Sequence, residues 1–199
     1  MIYEFCAENV TLLEKAMQAG ARRIELCDNL AVGGTTPSYG VTKAAVELAA
    51  NYDTTIMTMI RPRGGDFVYN DLEIAIMLED IRLTAQAGSQ GVVFGALTAD
   101  KKLDKANLEK LIATSKGMEI VFHMAFDELS DEDQLEAIDW LSQAGVTRIL
   151  TRAGVSGDSL EKRFAHYHRI LEHAKGKIEI LPVGELTLTT VKTLSTCLV

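Results

Sequence analysis

Short runs of β-branched and aliphatic residues alternate along the chain with longer runs whose apolar residues recur every three or four positions. The short runs are bounded by Gly, Asp, Pro or Asn, as β-strands are, and the longer runs have the period of amphipathic helices. The pattern predicts strands at Ile2–Cys6, Arg23–Cys27, Thr55–Arg61, Gly91–Gly95, Glu119–His123, Thr147–Thr151 and Ile178–Leu181. It predicts helices at Val10–Ala19, Val41–Ala50, Leu72–Ala87, Leu108–Ser115, Asp131–Ala144, Leu160–Ala174 and Leu188–Leu198.

Strict alternation of strands and helices requires a parallel sheet covered by helices, which leaves a doubly wound open sheet or a barrel. An open sheet usually carries a glycine-rich phosphate loop after its first strand, but Cys6 is followed by Ala-Glu-Asn. The sequence therefore predicts one α/β domain over residues 1–199, a TIM-type (β/α) barrel, and no nucleotide cofactor.

The number of predicted units is one short of the eight that this fold usually has. The barrel therefore either closes with seven strands or lacks its last βα unit. An unpaired seam would expose backbone groups that proteins normally cover. We expect either seven-strand closure or a partner over the seam, which would make the protein a homodimer.

The composition narrows the class of partner. The 199 residues carry a formal net charge of −8, which disfavours nucleic acid and anionic membranes. No apolar run approaches the roughly 20 residues of a membrane span. The three cysteines lie far apart, which argues against a disulfide framework and fits a reducing cytosol. We therefore expect a cytoplasmic protein that binds a small ligand.

Alternation along the strands places ionisable residues on the face that a barrel turns inward. A buried carboxylate without a partner is costly, so these groups must pair with one another, bind a cation or line a ligand site. One hypothesis is a structural ion-pair network, and the other is a site at the carboxyl ends of the strands, where barrels bind ligands. The predicted inward set is Glu4, Cys6, Glu25, Cys27, Arg61, His123 and Glu179.

The loops after two strands add candidate chemistry. Arg61 and Arg63, with Asp66 close behind, follow the third strand, and guanidinium groups suit a phosphate or carboxylate. The alternative for Arg63 is a simple ion pair with Asp66. His123 precedes Asp127 by four residues, a spacing that fits an acid/base pair.

These residues support the hypothesis of a barrel enzyme that performs acid/base chemistry on a small anionic substrate. In this hypothesis His123 is the general acid or base, Arg61 and Arg63 bind the anion with Asp66 beside them, and the remaining candidate carboxylates are Glu25, Asp127 and Glu179. A binding protein without catalytic activity is equally compatible with them.

Four segments carry a resemblance to a known family. From residue 1 to about residue 185 the chain resembles the CutC copper homeostasis protein family, through Arg23–Cys27, Gly33–Ser38, Ile60–Phe67 with Tyr69, and His123–Asp127. The resemblance implies a cytoplasmic barrel that binds or traffics copper. It makes Cys6 and Cys27 the candidate copper ligands. Two thiolates with a nearby thioether suit Cu(I), although cysteine and methionine are also commonly buried without any metal.

The chain departs from the family pattern in its later segments. Met124 stands where the family usually has Arg, Arg152 lies in a segment that is usually Ser-Gly-Gly or His-Gly-Gly, and Glu185 replaces an expected glycine. A closing strand of the His-Gly-Thr type is not found. Late loops often form a phosphate cup in barrels, and these departures argue against one here.

Overall fold

The computed structural model of the chain describes residues 2–154, 158 and 160–183. Its strands are β1 Glu4–Glu8, β2 Arg23–Cys27, β3 Thr55–Met59, β4 Gly91–Phe94, β5 Glu119–Phe122, β6 Arg148–Thr151 and β7 Glu179–Pro182. Its α-helices are α1 Leu13–Gln18, α2 Tyr39–Ala49, α3 Asp71–Ala87, α4 Lys105–Thr114, α5 Asp131–Gln143 and α6 Leu160–Ala174, and two 3₁₀ helices cover Leu30–Val32 and Met124–Glu128. The predicted helix Leu188–Leu198 and Glu185 lie outside the described residues.

The first strand and helix begin later than predicted. Strand β1 starts where Glu4 pairs with Arg23, while Ile2 and Tyr3 before it are exposed. Helix α1 starts only at Leu13 because Leu12, its N-cap, has a left-handed backbone with φ 58°. The spacing of apolar residues along the sequence does not reveal that a single residue has a left-handed backbone.

The other helix starts follow ordinary capping chemistry. Ser38, Asn70 and Ser130 each accept a hydrogen bond from the backbone N–H three residues further on. Asn70 also forms a capping box with Glu73 at the start of α3. These caps fix where each helix begins after its loop at the mouth of the sheet.

All seven strands are parallel and lie in chain order from β1 to β7. In a flat sheet with about 4.8 Å between strands, β1 and β6 would be about 24 Å apart. Yet Arg148 on β6 lies near enough to Glu4 on β1 to oppose the burial that raises the pKa of Glu4. The sheet therefore curls into a barrel of the TIM type, as predicted. Among the described residues no ladder joins β7 to β1.

Alternate strand residues separate two apolar regions. Ile24, Leu26 and Ile56 pack outward under the helices. The inward residues form a second buried cluster with Cys27, Met57, Met59, Val93, Val121 and Leu150. The polar residues at the carboxyl ends of the strands, which form the mouth of the barrel, pack on this inner cluster.

An ion-pair network occupies the opposite end of the barrel, at the first residues of several strands. Glu4 pairs with Arg23 at 3.3 Å, and Arg148 pairs with Glu119 and, at 2.8 Å, with Glu179. The structural ion-pair hypothesis thus describes this amino-terminal end. Glu179, which we had placed in the candidate catalytic set, lies here because it opens its strand instead of ending it.

None of the helices within the described residues is both long enough and apolar enough to cross a membrane.

Candidate functional site

Cys6, Glu25 and Cys27 form a compact cluster on the inner face of β1 and β2. The parallel register places Cys6 opposite Glu25 and Glu8 opposite Cys27, so the three side chains share one face. Their ligand atoms, two sulfurs and a carboxylate oxygen, all lie within 4.8 Å of one another. Cys6 is exposed, whereas Glu25 and Cys27 are buried.

The three groups share protons unequally. The hydrogen bond from Cys27, with a second from Glu25, lowers the pKa of Cys6 to about 7. The same bond to Cys6, together with burial, raises the pKa of Cys27, and burial followed by the charge of Cys6 raises the pKa of Glu25 well above its usual range. The arrangement therefore favours ionisation at the exposed Cys6 sulfur and opposes it at Cys27 and Glu25.

The strand geometry favours a shared ligand over a disulfide between the two thiols. Cys6 and Cys27 are diagonal neighbours across the ladder, which places their Cα atoms about 7–8 Å apart. Disulfides usually need Cα atoms closer than about 7 Å. Gly34 covers Cys27 closely, because a Cβ at Gly34 would lie 3.2 Å from the Cys27 sulfur.

Arg61 is buried beyond the end of β3 and organises two loops at the mouth. Its Nη1 donates to the carbonyls of Val32 at 2.9 Å and Gly34 at 3.1 Å, and its Nη2 donates to that of Gly65 at 2.7 Å. The guanidinium carbon also lies 4.8 Å from the centre of the Phe67 ring. We predicted that Arg61 binds a substrate anion, and these backbone contacts leave its Nε without a partner among the described residues.

His123 is buried just past the end of β5, against the same Phe67 ring. Its Nδ1 accepts a hydrogen bond from the backbone N–H of Ala125 at 3.2 Å, so the ring proton lies on Nε2. Burial, followed by the charge of Arg61, lowers the pKa of His123 to about 3. Its ring centre lies 4.7 Å from that of Phe67. Only glycine fits beside it, because a Cβ at Gly95 would lie 2.7 Å from the imidazole.

Arg63 and Asp66 lie together at the surface of the same loop. Arg63 pairs with Asp66 at 3.0 Å and with Glu73 at 2.5 Å. These pairs match the alternative in which Arg63 simply neutralises a loop acid. The structure therefore gives Arg61 and Arg63 different surroundings, because one is buried without a carboxylate and the other is paired at the rim.

Asp127 faces away from His123. Its carboxylate accepts hydrogen bonds from the Thr151 hydroxyl and, at 3.1 Å, from the backbone N–H of Arg152. Among the described residues no hydrogen bond joins His123 to Glu25, Asp127 or Glu179. The four candidate acid/base residues are thus distributed over the thiol cluster, the Phe67 side, the Thr151 loop and the opposite end of the barrel.

Two features of the mouth were not among the predicted site residues. Tyr69 is buried with its hydroxyl unpartnered among the described residues, and burial raises its pKa against the opposing charge of Arg61. Arg152 lies with its Nη2 at 3.3 Å from the sulfur of Met124. Both residues had been noticed in the sequence, but their neighbours come from loops whose paths strand periodicity does not define.

Comparison with known proteins gives one consistent family. The CutC family model matches residues 1–195. A CutC family protein of Enterococcus faecalis is 51% identical over 193 residues, covering 97% of this chain and 92% of that protein. The human copper homeostasis protein cutC homolog is 40% identical over 186 residues, covering 94% of this chain and 66% of that protein.

A solved structure agrees. The crystal structure of CutC from Streptococcus agalactiae is 42% identical, with a TM-score of 0.95 over 99% of this chain and 94% of that one.

Proposed function

The chain belongs to the CutC family, and we propose on this basis that it binds copper(I) as a cargo in the cytoplasm, through Cys6 and Cys27 with Glu25 beside them. The observation that supports the proposal is the grouping of two sulfurs and one carboxylate oxygen within 4.8 Å. Cu(I) prefers soft thiolate and thioether ligands. Met57 and Met59 are buried in the same inner cluster as Cys27 and add thioethers nearby.

The different pKa values of the two cysteines favour binding of the copper ion first at Cys6 and then at Cys27. Cys6 is already close to its thiolate form at neutral pH, and it offers the first ligand to an arriving ion. Cys27 must lose its proton on binding, because only the thiolate ligates well. Affinity should therefore rise with pH, and Glu25 is placed to accept or release protons as the ion enters and leaves.

The difference in exposure between the two cysteines fits a trafficking role. Cys6 is exposed, so an incoming thiolate from another molecule has access to an ion at that side. Cys27 is buried and holds the ion from behind. Transfer would then proceed by stepwise ligand exchange instead of release into solution.

The direct test is a copper(I) titration under reducing conditions against a competing chelator. The wild-type protein should bind one ion per chain. Cys6→Ser and Cys27→Ser should each abolish stoichiometric binding. The matched control is Cys197→Ser, the same exchange at the third cysteine, and it should bind as the wild type does. Unchanged binding by Cys6→Ser or Cys27→Ser would refute the assignment.

Catalysis on a small anionic substrate is a second candidate function, and one observation favours it. Arg61 and His123 both lie against the Phe67 ring, each with an unpartnered N–H among the described residues. The acid/base pair that catalysis would need is not assembled in that part of the chain. Catalysis there would require an acid/base partner for His123 from outside the described residues.

A further inference from the structure

Arg61 is a buried cation without a carboxylate partner among the described residues. It is 4% exposed, and its three hydrogen bonds all go to backbone carbonyls. A buried charge is costly unless a counter-charge compensates it. Arg63, two residues further, has two carboxylates beside it at the surface, so the loop does contain acids, but they pair with the exposed arginine.

His123 adds a neutral hydrogen-bond donor to the same region. Its Nδ1 is occupied as an acceptor, so Nε2 carries the proton, and this buried atom has no acceptor among the described residues. A neutral imidazole held in one tautomer donates to an oxygen without bringing a second positive charge.

Tyr69 contributes a third donor. The residue is 7% exposed, its hydroxyl lies beside the Arg61 guanidinium, which lowers its pKa against the effect of burial, and the hydroxyl proton has no acceptor among the described residues. Buried polar groups in proteins are nearly always hydrogen-bonded. Three unpartnered donors, two of them against the Phe67 ring and the third beside Arg61, therefore indicate an acceptor that the described chain does not supply.

We propose that Arg61, Tyr69 and His123 bind the carboxylate of a small organic acid behind the ring of Phe67. A single negative charge matches the single uncompensated cation, whereas a phosphate dianion would bring a second buried charge. The site is separate from the thiol cluster, so it goes beyond copper binding and does not depend on it.

Phe67 also lines the route by which the proposed carboxylate would reach its site. Its ring contacts Arg61 and His123 on the inside and forms part of the wall of a pocket of about 540 Å³, together with Gly65, Thr98 and neighbouring residues. Gly65, with φ 85°, lies beside Phe67 in the loop. The carboxylate would enter from this pocket past the Phe67 ring.

The test uses the imidazole ¹⁵N resonances of His123 during titrations with acetate, inorganic phosphate and chloride. Acetate should shift the Nε2 resonance saturably and raise the melting temperature, while chloride at matched ionic strength should do neither. Identical acetate and chloride responses would overturn the proposal, and a site that prefers phosphate would overturn its single-charge form.

Two isosteric variants separate the donor from the fold. His123→Asn keeps an acceptor near the Nδ1 position for the Ala125 N–H but has no donor at Nε2, and its acetate affinity, read from melting temperature, should fall about tenfold or more. His123→Gln restores an N–H near the Nε2 position and should retain more of the affinity. Arg82→Ala, at an exposed arginine that pairs with Glu79 on α3, should leave acetate binding unchanged. Equal affinities of wild type and His123→Asn would refute the site, and copper titration of the same variants reports separately on the thiol cluster.

Discussion

At the residue scale, the two cysteines of the cluster differ because one lies on β1, which has a single strand neighbour among the described residues, and the other is covered by a loop. Cys6 is exposed and carries the lowered pKa, while Gly34 closes over Cys27. A left-handed glycine with φ 88° permits that close approach, since a side chain there would meet the sulfur. The sequence string Gly33-Gly34 thus has a direct role in burying one ligand.

The lowered pKa of Cys6 predicts its reactivity. In the metal-free protein, alkylation of Cys6 should have a pH midpoint near 7, because Cys27 and Glu25 donate hydrogen bonds to the thiolate. Cys27→Ala removes the stronger of these donors and should move the midpoint upward by about one to two pH units. Peptide mass spectrometry across a pH series follows Cys6 separately from the other cysteines. An unchanged midpoint in Cys27→Ala would contradict the hydrogen-bonded pair.

The sequence predicts the membership of the thiol cluster better than that of the acid/base set. Strand alternation alone places Cys6, Glu25 and Cys27 on one face, because a period of two is fixed by the strand itself. Glu179 has the right face but the wrong end of its strand. Asp127 lies in a 3₁₀ turn, where its partners Thr151 and Arg152 come from another loop. Depth along the barrel and loop paths are tertiary properties that alternation does not encode.

At the scale of elements, Arg61 joins the loop after β2 to the loop after β3. Its hydrogen bonds to Val32, Gly34 and Gly65 tie both loops to the end of β3. The planar guanidinium is suited to this because it presents several donors in fixed directions. Arg61 therefore links the two loops to each other, while Arg63 donates to the carbonyls of Gly64, Asp66 and Val68 within the second loop.

Replacing the Arg61 side chain should loosen both loops. Arg61→Met should lower the free energy of unfolding by about 1–3 kcal/mol, since several hydrogen bonds to a charged group are lost while the cost of burying that charge is also removed. Hydrogen exchange should increase in residues 28–36 and 61–69. The paired control is Arg82→Ala, whose side chain is 54% exposed and pairs with Glu79, and which should change stability by less than about 1 kcal/mol in urea unfolding. Equal effects of the two variants would contradict the role assigned to Arg61.

The sequence pattern predicts which segments form strands and which form helices, but it predicts the residues at which they begin and end less accurately. The seven strands and the described helices follow from period and boundary residues, as predicted. Helix α1 is shorter than its apolar pattern because of the left-handed residue at Leu12. Such a residue has no signature in the pattern, since leucine rarely adopts that conformation.

At the scale of the whole molecule, Arg148 links strands that lie far apart in sheet order. It is 7% exposed, pairs with Glu119 on β5 and Glu179 on β7, and influences Glu4 on β1. Curvature of the sheet brings these strands together around one guanidinium. An ion-pair network centred on Arg148 thus stabilises the curvature of the sheet at the amino-terminal ends of its strands.

Removing Arg148 from this ion-pair network should lower the free energy of unfolding more than breaking an exposed ion pair does. Arg148→Met should cost about 1–3 kcal/mol, less than a fully buried pair because Glu119 and Glu179 can turn towards water. Arg22→Ala breaks the exposed pair with Asp53, where Arg22 is 55% exposed, and should cost less than about 1 kcal/mol. Chemical denaturation of both variants measures the difference, and a larger loss in Arg22→Ala would count against the network. The homodimer that would cover the seam stays a prediction.

The position of Cys6 on β1 has a consequence for how cargo is exchanged. An inward-facing residue of a fully closed cylinder is reached only through its top or bottom, yet Cys6 faces inward and is still exposed to solvent. In the proposed function a donor or acceptor protein would reach the ion from the Cys6 side, while Gly34 of the arginine-ordered loop keeps Cys27 covered. Ion exchange at Cys6 would leave the carboxyl ends of the strands free for the carboxylate proposed to bind beside Phe67.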